Sequence, residues 1–243
     1  MELQNKISGL PPYSKNLFTD LYYFLFKSPK LKTYLKFANP TDQKYYGLRL
    51  LHRSNVMVHE YKVLNIHKIG INAPGNHIFE ELLKWDENSL YWPNNLARIK
   101  RIEGYLDNIQ IYLFGIDKIF GIKTLNLSGI RFPPLFRLEK REINFIPKTT
   151  DLDNERSLLY DCSGGYPIGV FSLYVRSSRK EYNEKEMSQL FITVAFDFFG
   201  LKKKRHSIFF KTFWEKIHNR VTANVLNRIN LICESKFNAI NDS

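Results

Sequence analysis

The sequence is poor in the residues and motifs that mark disulfide frameworks, metal centres and nucleotide sites. Its 243 residues include two cysteines, which lie far apart and form no metal-binding or redox motif. No Walker A, G-x-G-x-x-G or H-E-x-x-H motif occurs. We therefore predict no metal ion, no cofactor and no catalytic signature. The simplest interpretation of Cys162 and Cys233 is two reduced, packed thiols in a cytoplasmic protein.

Long apolar runs are also absent. No stretch reaches the ~18–20 apolar residues that a membrane-spanning helix requires. The densest segment, Leu17 to Phe26, is interrupted by Thr19 and Asp20. The first residues lack an apolar run followed by a small-residue cleavage site, so we expect no secretory signal.

Aromatic residues and positive charge are abundant. Hydrophobic residues make up 44% and aromatic residues 15% of the chain, which is enough for one large core and argues against extensive disorder. The formal net charge is +12. A charge of this sign favours acidic lipids, nucleic acid or an acidic ligand without choosing among them, and solubility alone explains it equally well.

Hydrophobic spacing divides the chain into an N-terminal helical extension, residues 1–60, and a main domain, residues 61–243. In the extension we predict a helix after Ser14 and a short helix from about Lys30 to Phe37, which Asn39-Pro40 ends. The main domain opens with a strand whose alternation favours one shared face. That face is predicted to carry Val63, Asn65, His67, Ile69 and Ile71.

Two short helices, six further strands and one long helix are predicted next. Pro74-Gly75 opens the first short helix, and Trp92-Pro93 closes the second. The strands come in series at about 97–106, 108–114, 134–146, 157–162, 168–176 and 188–199. The last helix, about Ser207 to Lys236, carries one continuous apolar stripe. Opposite this stripe we place Lys211, Lys216, Asn219, Asn227 and Asn230.

Strands joined in series by turns predict an antiparallel sheet, and a long sheet must curl. One amphipathic helix that follows can lie in its concave face. A crossover would take the second strand to the far edge, and apolar residues on both faces of the last strand predict that both faces are covered. The fold class predicted is α+β: a curved antiparallel sheet of about seven strands wrapped around a long C-terminal helix, with an N-terminal helical extension.

This element order resembles the helix-grip fold of the START/Bet v 1-like superfamily, also called SRPBCC, which includes polyketide cyclase/dehydrase and lipid-transport proteins. The resemblance covers about residues 61–236. It rests on the strand entering Ala73-Pro74, the helix with Phe79 and Trp85, the Tyr91-Trp92-Pro93 corner, the Gly164-Gly165-Tyr166-Pro167 connection and the terminal helix.

The resemblance implies binding or transport of a hydrophobic or amphipathic small molecule, lipid or polyketide-like, in a cavity between the sheet and the C-terminal helix. Plain core packing explains each candidate wall residue as well as ligand binding does. The candidates are Trp92, Tyr105, Tyr112, Tyr160, Tyr174, Phe213 and Ile217.

Two other functions stay open. The superfamily also contains cyclases and dehydratases, in which buried polar groups steer acid–base chemistry on an enclosed substrate. A third interpretation is a basic interaction module, because lysines and aromatic residues cluster over 22–37 and around Lys202 to Arg205. Such patches suit an anionic membrane, although docked aromatics with solvated lysines explain them too. Nucleic acid is not expected, since no recognised binding motif accompanies the charge. The oligomeric state is left open.

Overall fold

The computed structural model describes residues 22, 26–51, 61–84, 97–102, 105–113, 135–140, 155–163, 168–177, 188–197 and 208–241. Their elements follow in the order α1 Pro40–Leu51, β1 Val63–Ile71, α2 Gly75–Leu83, β2 Ala97–Ile102, β3 Tyr105–Leu113, β4 Leu135–Lys140, β5 Glu155–Ser163, β6 Ile168–Ser177, β7 Ser188–Asp197 and α3 Ile208–Asn241. Four of the strands, β1, β5, β6 and β7, have described side chains, whereas β2 to β4 are described by their backbone alone.

The strands form one antiparallel sheet in the order β1-β7-β6-β5-β4-β3-β2. The first and last strands of the chain are therefore neighbours, with Asn65 of β1 opposite Val194 of β7. The connection after α2 carries the chain to the far edge of the sheet, where β2 pairs only with β3 among the described strands. The α+β class, the curved open antiparallel sheet, the crossover and the long C-terminal helix are confirmed.

One face of the sheet, called the inner face here, packs against α3. As predicted, alternate residues of β1 share this face, and Val63, Ile69 and Ile71 are buried in its core. Burial of one such aliphatic side chain stabilises the fold by about 1.5–3 kcal/mol. The helix completes the core with Val225, Leu226, Ile229, Ile232 and Cys233.

The opposite, outer face of the sheet is covered by the N-terminal extension. Leu64 and Ile66 of β1 are buried there, together with Ala195 of β7, against apolar side chains from residues 35–50 and from Tyr61. A Cβ atom added at Gly47 of α1 would lie 2.9 Å from Leu64 Cδ2, so α1 lies as close to β1 as a glycine allows. The prediction that both faces of the last strand are covered is confirmed, since Phe191 and Leu190 are both buried.

The helix predicted over Lys30 to Phe37 is wrong. Residues 33–35 instead run beside the free edge of β1: Leu35 N–H donates to Ile66 O at 2.9 Å, and Lys68 N–H donates to Thr33 O at 2.8 Å. The apolar spacing of this segment is compatible with a helix, but the unpaired groups of an edge strand favour an extended partner. Tertiary pairing therefore decides the local conformation.

Asn39-Pro40 begins a helix rather than ending one. The Asn39 side-chain oxygen accepts from Asp42 N–H at 2.8 Å, and Asn39 Nδ2 donates to the Asp42 carboxylate at 2.8 Å. Asparagine is a favoured N-cap, and proline is well placed in the first turn because its missing N–H has no intrahelical role there. These two residues fix the start of α1 and place it over the outer face.

Asn224, Asn227 and Asn230 of α3 do not lie on a solvated face. Asn227 and Asn230 are each only 9% exposed, so the side of α3 opposite its apolar stripe is buried as well. Asn227 Oδ1 accepts from Leu31 N–H at 2.8 Å, and Asn227 Nδ2 donates to Leu31 O at 3.0 Å. Asn224 Nδ2 likewise donates to Lys27 O at 3.0 Å. This second buried side of α3, formed by Asn224 and Asn227, therefore binds the backbone of residues 27–31.

The short helix α2 begins at Gly75, as predicted from Pro74-Gly75, and packs against the inner face. Ile78 and Leu82 are buried in the inner core. Glu81 is also buried, and its carboxylate is paired with Lys236 of α3 at 2.5 Å and with Lys84 at 3.3 Å. Among the residues described, no helix is both long and apolar enough to cross a membrane.

Candidate functional site

The inner face contains a cluster of polar side chains where β1, α3 and residues 33–35 of the N-terminal extension meet. The β1 alternation points His67 at α3, and the edge pairing of residues 33–35 brings Thr33 beside it. His67 Nε2 lies 3.0 Å from Asn219 Oδ1, and His67 Nδ1 lies 2.9 Å from Thr33 Oγ1. His67 and Thr33 are buried, with 0% and 2% exposure.

These contacts define the tautomer of His67. An amide oxygen only accepts, so His67 Nε2–H donates to Asn219. Nδ1 then carries no proton and accepts from the Thr33 hydroxyl. Both ring nitrogens are satisfied by a neutral imidazole, with the Thr33 hydroxyl as the donor to Nδ1; if Nδ1 gained a proton, that hydroxyl would have to rotate and accept instead.

Asn65 of β1 and His218 of α3 also belong to the cluster. Asn65 Nδ2 donates to His218 Nδ1 at 3.5 Å, a long hydrogen bond. Asn65 is 1% exposed, and its Oδ1 has no hydrogen-bond partner. A buried acceptor without a donor costs about 1–3 kcal/mol, so this oxygen is suited to a donor from outside the chain.

Both histidines are held neutral by their surroundings. Desolvation lowers the pKa of His67 from 6.5 to about 4, and hydrogen bonding to Asn219 opposes that shift. Desolvation, and then the nearby His67, lower the pKa of His218 to about 3. At pH 7 these imidazoles therefore act as neutral hydrogen-bonding groups, since a base with so low a pKa rarely holds a proton there.

His218 combines a desolvated ring with partial exposure. Its lowered pKa reflects burial among protein atoms, yet the residue is only partly buried by surface area. His218 is thus a half-buried, neutral hydrogen-bonding group at the interface between β1 and α3.

Apolar residues adjoin the polar cluster along the inner face. Val63 precedes Asn65 on β1, and Val194 lies opposite Asn65 on β7. Val221, one turn beyond His218 and Asn219, is partly buried against the same core. The arrangement, mainly apolar with a few converging polar groups, is typical of small-molecule sites.

The structure describes two of the seven predicted wall residues in full, and it separates them. Ile217 is half-buried on α3, next to His218. Tyr174 lies on β6 with its ring 5.6 Å from that of Phe191, which is also beside Lys68. Along β6, Tyr174 alternates with Leu173 and Val175, whose side chains pack in the inner core. Tyr174 therefore lies on the outer face, away from α3.

The other five predicted wall residues are placed less fully. Tyr160 is the register partner of Phe171, whose side chain packs in the inner core. Tyr105 and Tyr112 occupy β3, and Phe213 lies one turn before Ile217 on α3, but the side chains of these four residues lie outside the description. Trp92 lies outside the described residues.

Sequence reasoning missed the polar cluster. His67 was assigned to the correct face, but the cluster joins residues 33, 65, 67, 218 and 219, and no local spacing links such positions. Within the described part of the chain, no three His, Cys, Asp or Glu side chains are grouped to hold a metal ion. Cys233 is a buried free thiol, whose pKa burial raises to about 12.

Known structures are similar to this chain at low identity, whereas no protein-family model and no curated protein matches it. A conserved protein from Geobacillus kaustophilus has a TM-score of 0.39 and 12% identity, covering 69% of this chain and 93% of its own. A START superfamily protein from Mycobacterium smegmatis has a TM-score of 0.38 and 8% identity, covering 73% and 98%. The Zhui aromatase/cyclase from Streptomyces sp. R1128 has a TM-score of 0.37 and 15% identity, covering 72% and 93%.

One of these structures is named as a START superfamily protein, and START is the superfamily that the sequence resembles. All three TM-scores lie below 0.5, so the fold assignment rests on the chain's own topology. That topology places β1 beside β7, sends β2 to the far edge and packs α3 on the inner face, which is the helix-grip arrangement.

Proposed function

We propose that the chain binds a hydrophobic or amphipathic small molecule, of lipid or polyketide-like character, between the inner face of the sheet and α3. The observation that carries this proposal is the polar cluster set within a mainly apolar interface, in which Asn65 Oδ1 is buried without a hydrogen-bond donor. A mainly apolar interface with a few converging polar groups is typical of a small-molecule site.

The polar cluster supports an amphipathic ligand over a plain hydrocarbon. Asn65 Oδ1 is buried without a donor, and a ligand hydroxyl or amide would supply one. Each buried CH₂ of the ligand would contribute about 0.8 kcal/mol. Association itself costs at least about 4 kcal/mol, so five or so buried carbons are needed before binding becomes favourable.

The proposed wall includes Ile217 from α3, and Tyr160 and Phe213 by their backbone positions. Trp92, Tyr105 and Tyr112 stay in the proposal as sequence-based candidates. Tyr174 is left out, because its ring packs with Phe191 on the outer face.

A fluorescent apolar probe, 1-anilinonaphthalene-8-sulfonate, tests the proposal when a tryptophan fills the space. Ile217→Trp should weaken probe binding about ten-fold or more, because the larger ring occupies the volume beside His218. Asn238→Trp is the matched control: it adds the same ring to an exposed position of α3 and should leave binding unchanged. Equal effects of both variants, or no effect of either, would contradict a site at this interface.

A cyclase- or dehydratase-type enzyme is the second candidate, favoured by the two imidazoles at the same interface. Their pKa values, about 4 and about 3, make them weak general bases at pH 7, so binding remains the leading function. His218→Phe tests the enzyme. If the chain is an enzyme, the molecule bound to the variant should differ in mass from the molecule bound to the natural chain. The same mass in both would favour a carrier.

A cytoplasmic location is part of the proposal. It is supported by Cys233, a free thiol in an interior position, since reduced cysteines are typical of that compartment. Fractionation of cells that express the chain should recover it with cytoplasmic markers. Recovery in an exported fraction would contradict this assignment.

A further inference from the structure

Three large apolar side chains between residues 22 and 31 are exposed. Tyr22 is 66%, Phe26 61% and Leu31 50% exposed, and the rings of Tyr22 and Phe26 lie 5.6 Å apart. Lys30 and Lys32 are exposed beside Leu31. These five residues are called the basic apolar patch below. Single exposed apolar residues are ordinary, whereas a group of them with one charge sign marks an interaction surface.

The charge of the patch has one sign. The chain contains no Asp or Glu from residue 21 to residue 41, and four lysines fall in that span, at 27, 30, 32 and 36. The pKa of Lys27 is lowered, first by burial and then by the cations Arg228 and Lys30. Arg228 and Lys30 are thus cations close to Lys27, and a surface on which cations gather is complementary to an anionic partner.

The patch is held in place by buried side chains of α3. Asn224 binds the Lys27 carbonyl, and Asn227 binds both the N–H and the carbonyl of Leu31. Three residues of α-helix span about 4.5 Å, so the chain between Lys27 and Leu31 is confined to one turn of α3. Phe26 and Leu31 flank this short loop, and both backbone groups of Leu31 are held by Asn227.

We propose that the basic apolar patch binds the surface of an anionic lipid bilayer. Lysines would meet the headgroups while Phe26, Tyr22 and Leu31 enter the boundary with the acyl chains, as in amphipathic membrane-surface segments. A bilayer satisfies both features at once. Nucleic acid phosphates would pair with the lysines, but Leu31 has no aromatic face on which a base could stack. This surface is independent of the ligand site proposed above.

Sedimentation with lipid vesicles tests the proposal on the full chain. Vesicles of phosphatidylcholine with phosphatidylserine should bind the protein, and vesicles of phosphatidylcholine alone should bind it far less. Lys30→Gln with Lys32→Gln should weaken binding about five-fold per lysine, and Phe26→Ser about ten-fold. Binding should also fall when salt is raised from about 0.05 to about 0.5 M.

Matched variants elsewhere on the surface separate the patch from net charge. Lys44→Gln with Lys62→Gln removes the same charge from exposed positions, and Tyr45→Ser removes an aromatic ring that is 65% exposed. These controls should retain binding. Controls that weaken binding as much as the patch variants would overturn the proposal, as would the absence of binding to anionic vesicles at low salt. Loss of binding in the lysine variant but not in Phe26→Ser would indicate adsorption by charge alone, without entry of the apolar side chains, and would also overturn it.

Discussion

Lowering the pH from 7 to 5 should destabilise the fold through His67 and His218. Both have folded-state pKa values below the ordinary value of 6.5, at about 4 and about 3. As the pH falls below 6.5, the unfolded chain binds protons that the folded chain does not. The stability is therefore fully present above about pH 7, and it is lost as the pH falls towards the folded-state values.

The size of the loss follows from the distance below 6.5. At pH 5 each histidine is about 1.5 pH units below its unfolded pKa and is still neutral in the fold, which corresponds to about 2 kcal/mol per group. The pair should lower the free energy of unfolding by about 4 kcal/mol between pH 7 and pH 5, a large fraction of the stability of an ordinary domain.

Urea unfolding of single variants at pH 7, 6 and 5 checks this prediction. His67→Gln and His218→Gln should each reduce the pH-dependent loss by about 2 kcal/mol, whatever their stability at pH 7. His77→Gln is the control, because His77 lies outside the cluster, where its Nε2 donates to Cys233 O at 3.2 Å. A natural chain of equal stability at pH 7 and pH 5 would refute the reasoning. So would single variants that lose as much stability as the control.

Three further predictions concern packing and reactivity. Glu81→Gln should cost about 3 kcal/mol in urea unfolding, because it removes the buried carboxylate that pairs with Lys236. A cost below about 1 kcal/mol would contradict the importance of this pair. Gly75→Ala should cost about 1–2 kcal/mol, since the added Cβ overlaps Ser177 Oγ. Combining it with Ser177→Gly should recover part of that cost. If the costs of the two substitutions simply add, the overlap is contradicted. Burial raises the pKa of Cys233 to about 12, so in the folded chain this thiol should react slowly with 5,5′-dithiobis(2-nitrobenzoic acid) at about pH 8. Peptide mass spectrometry measures its labelling. Rapid labelling would contradict its burial.

Patterns that repeat locally predicted much of the sheet and the last helix. The period-two alternation of β1 identified its inner face, and the double apolar alternation around Leu190 and Phe191 predicted burial on both sides of β7. The strand order followed from short turns and one crossover. Such features depend on neighbouring residues and on general chain rules, so the sequence carries them directly.

Features that depend on distant partners could not be predicted in this way. Residues 33–35 have helix-compatible spacing, but the free edge of β1 selects an extended conformation. Asn227 breaks no helical pattern, and only the position of Leu31 shows why it is buried. The cluster around His67 is likewise assembled from three parts of the chain. Periodicity identifies the polar residues of a helix, but it does not say whether protein or water satisfies them.

A native mass spectrum of the freshly purified protein, compared with its denatured mass, tests the central claim most directly. Binding between the inner face and α3 predicts a discrete excess mass that leaves on denaturation and is reduced in Ile217→Trp but not in Asn238→Trp. An excess mass that Ile217→Trp leaves unchanged would place the ligand elsewhere. A spectrum with no excess mass, even after incubation with amphipathic hydroxylated lipids, would contradict a small-molecule binding site at this interface.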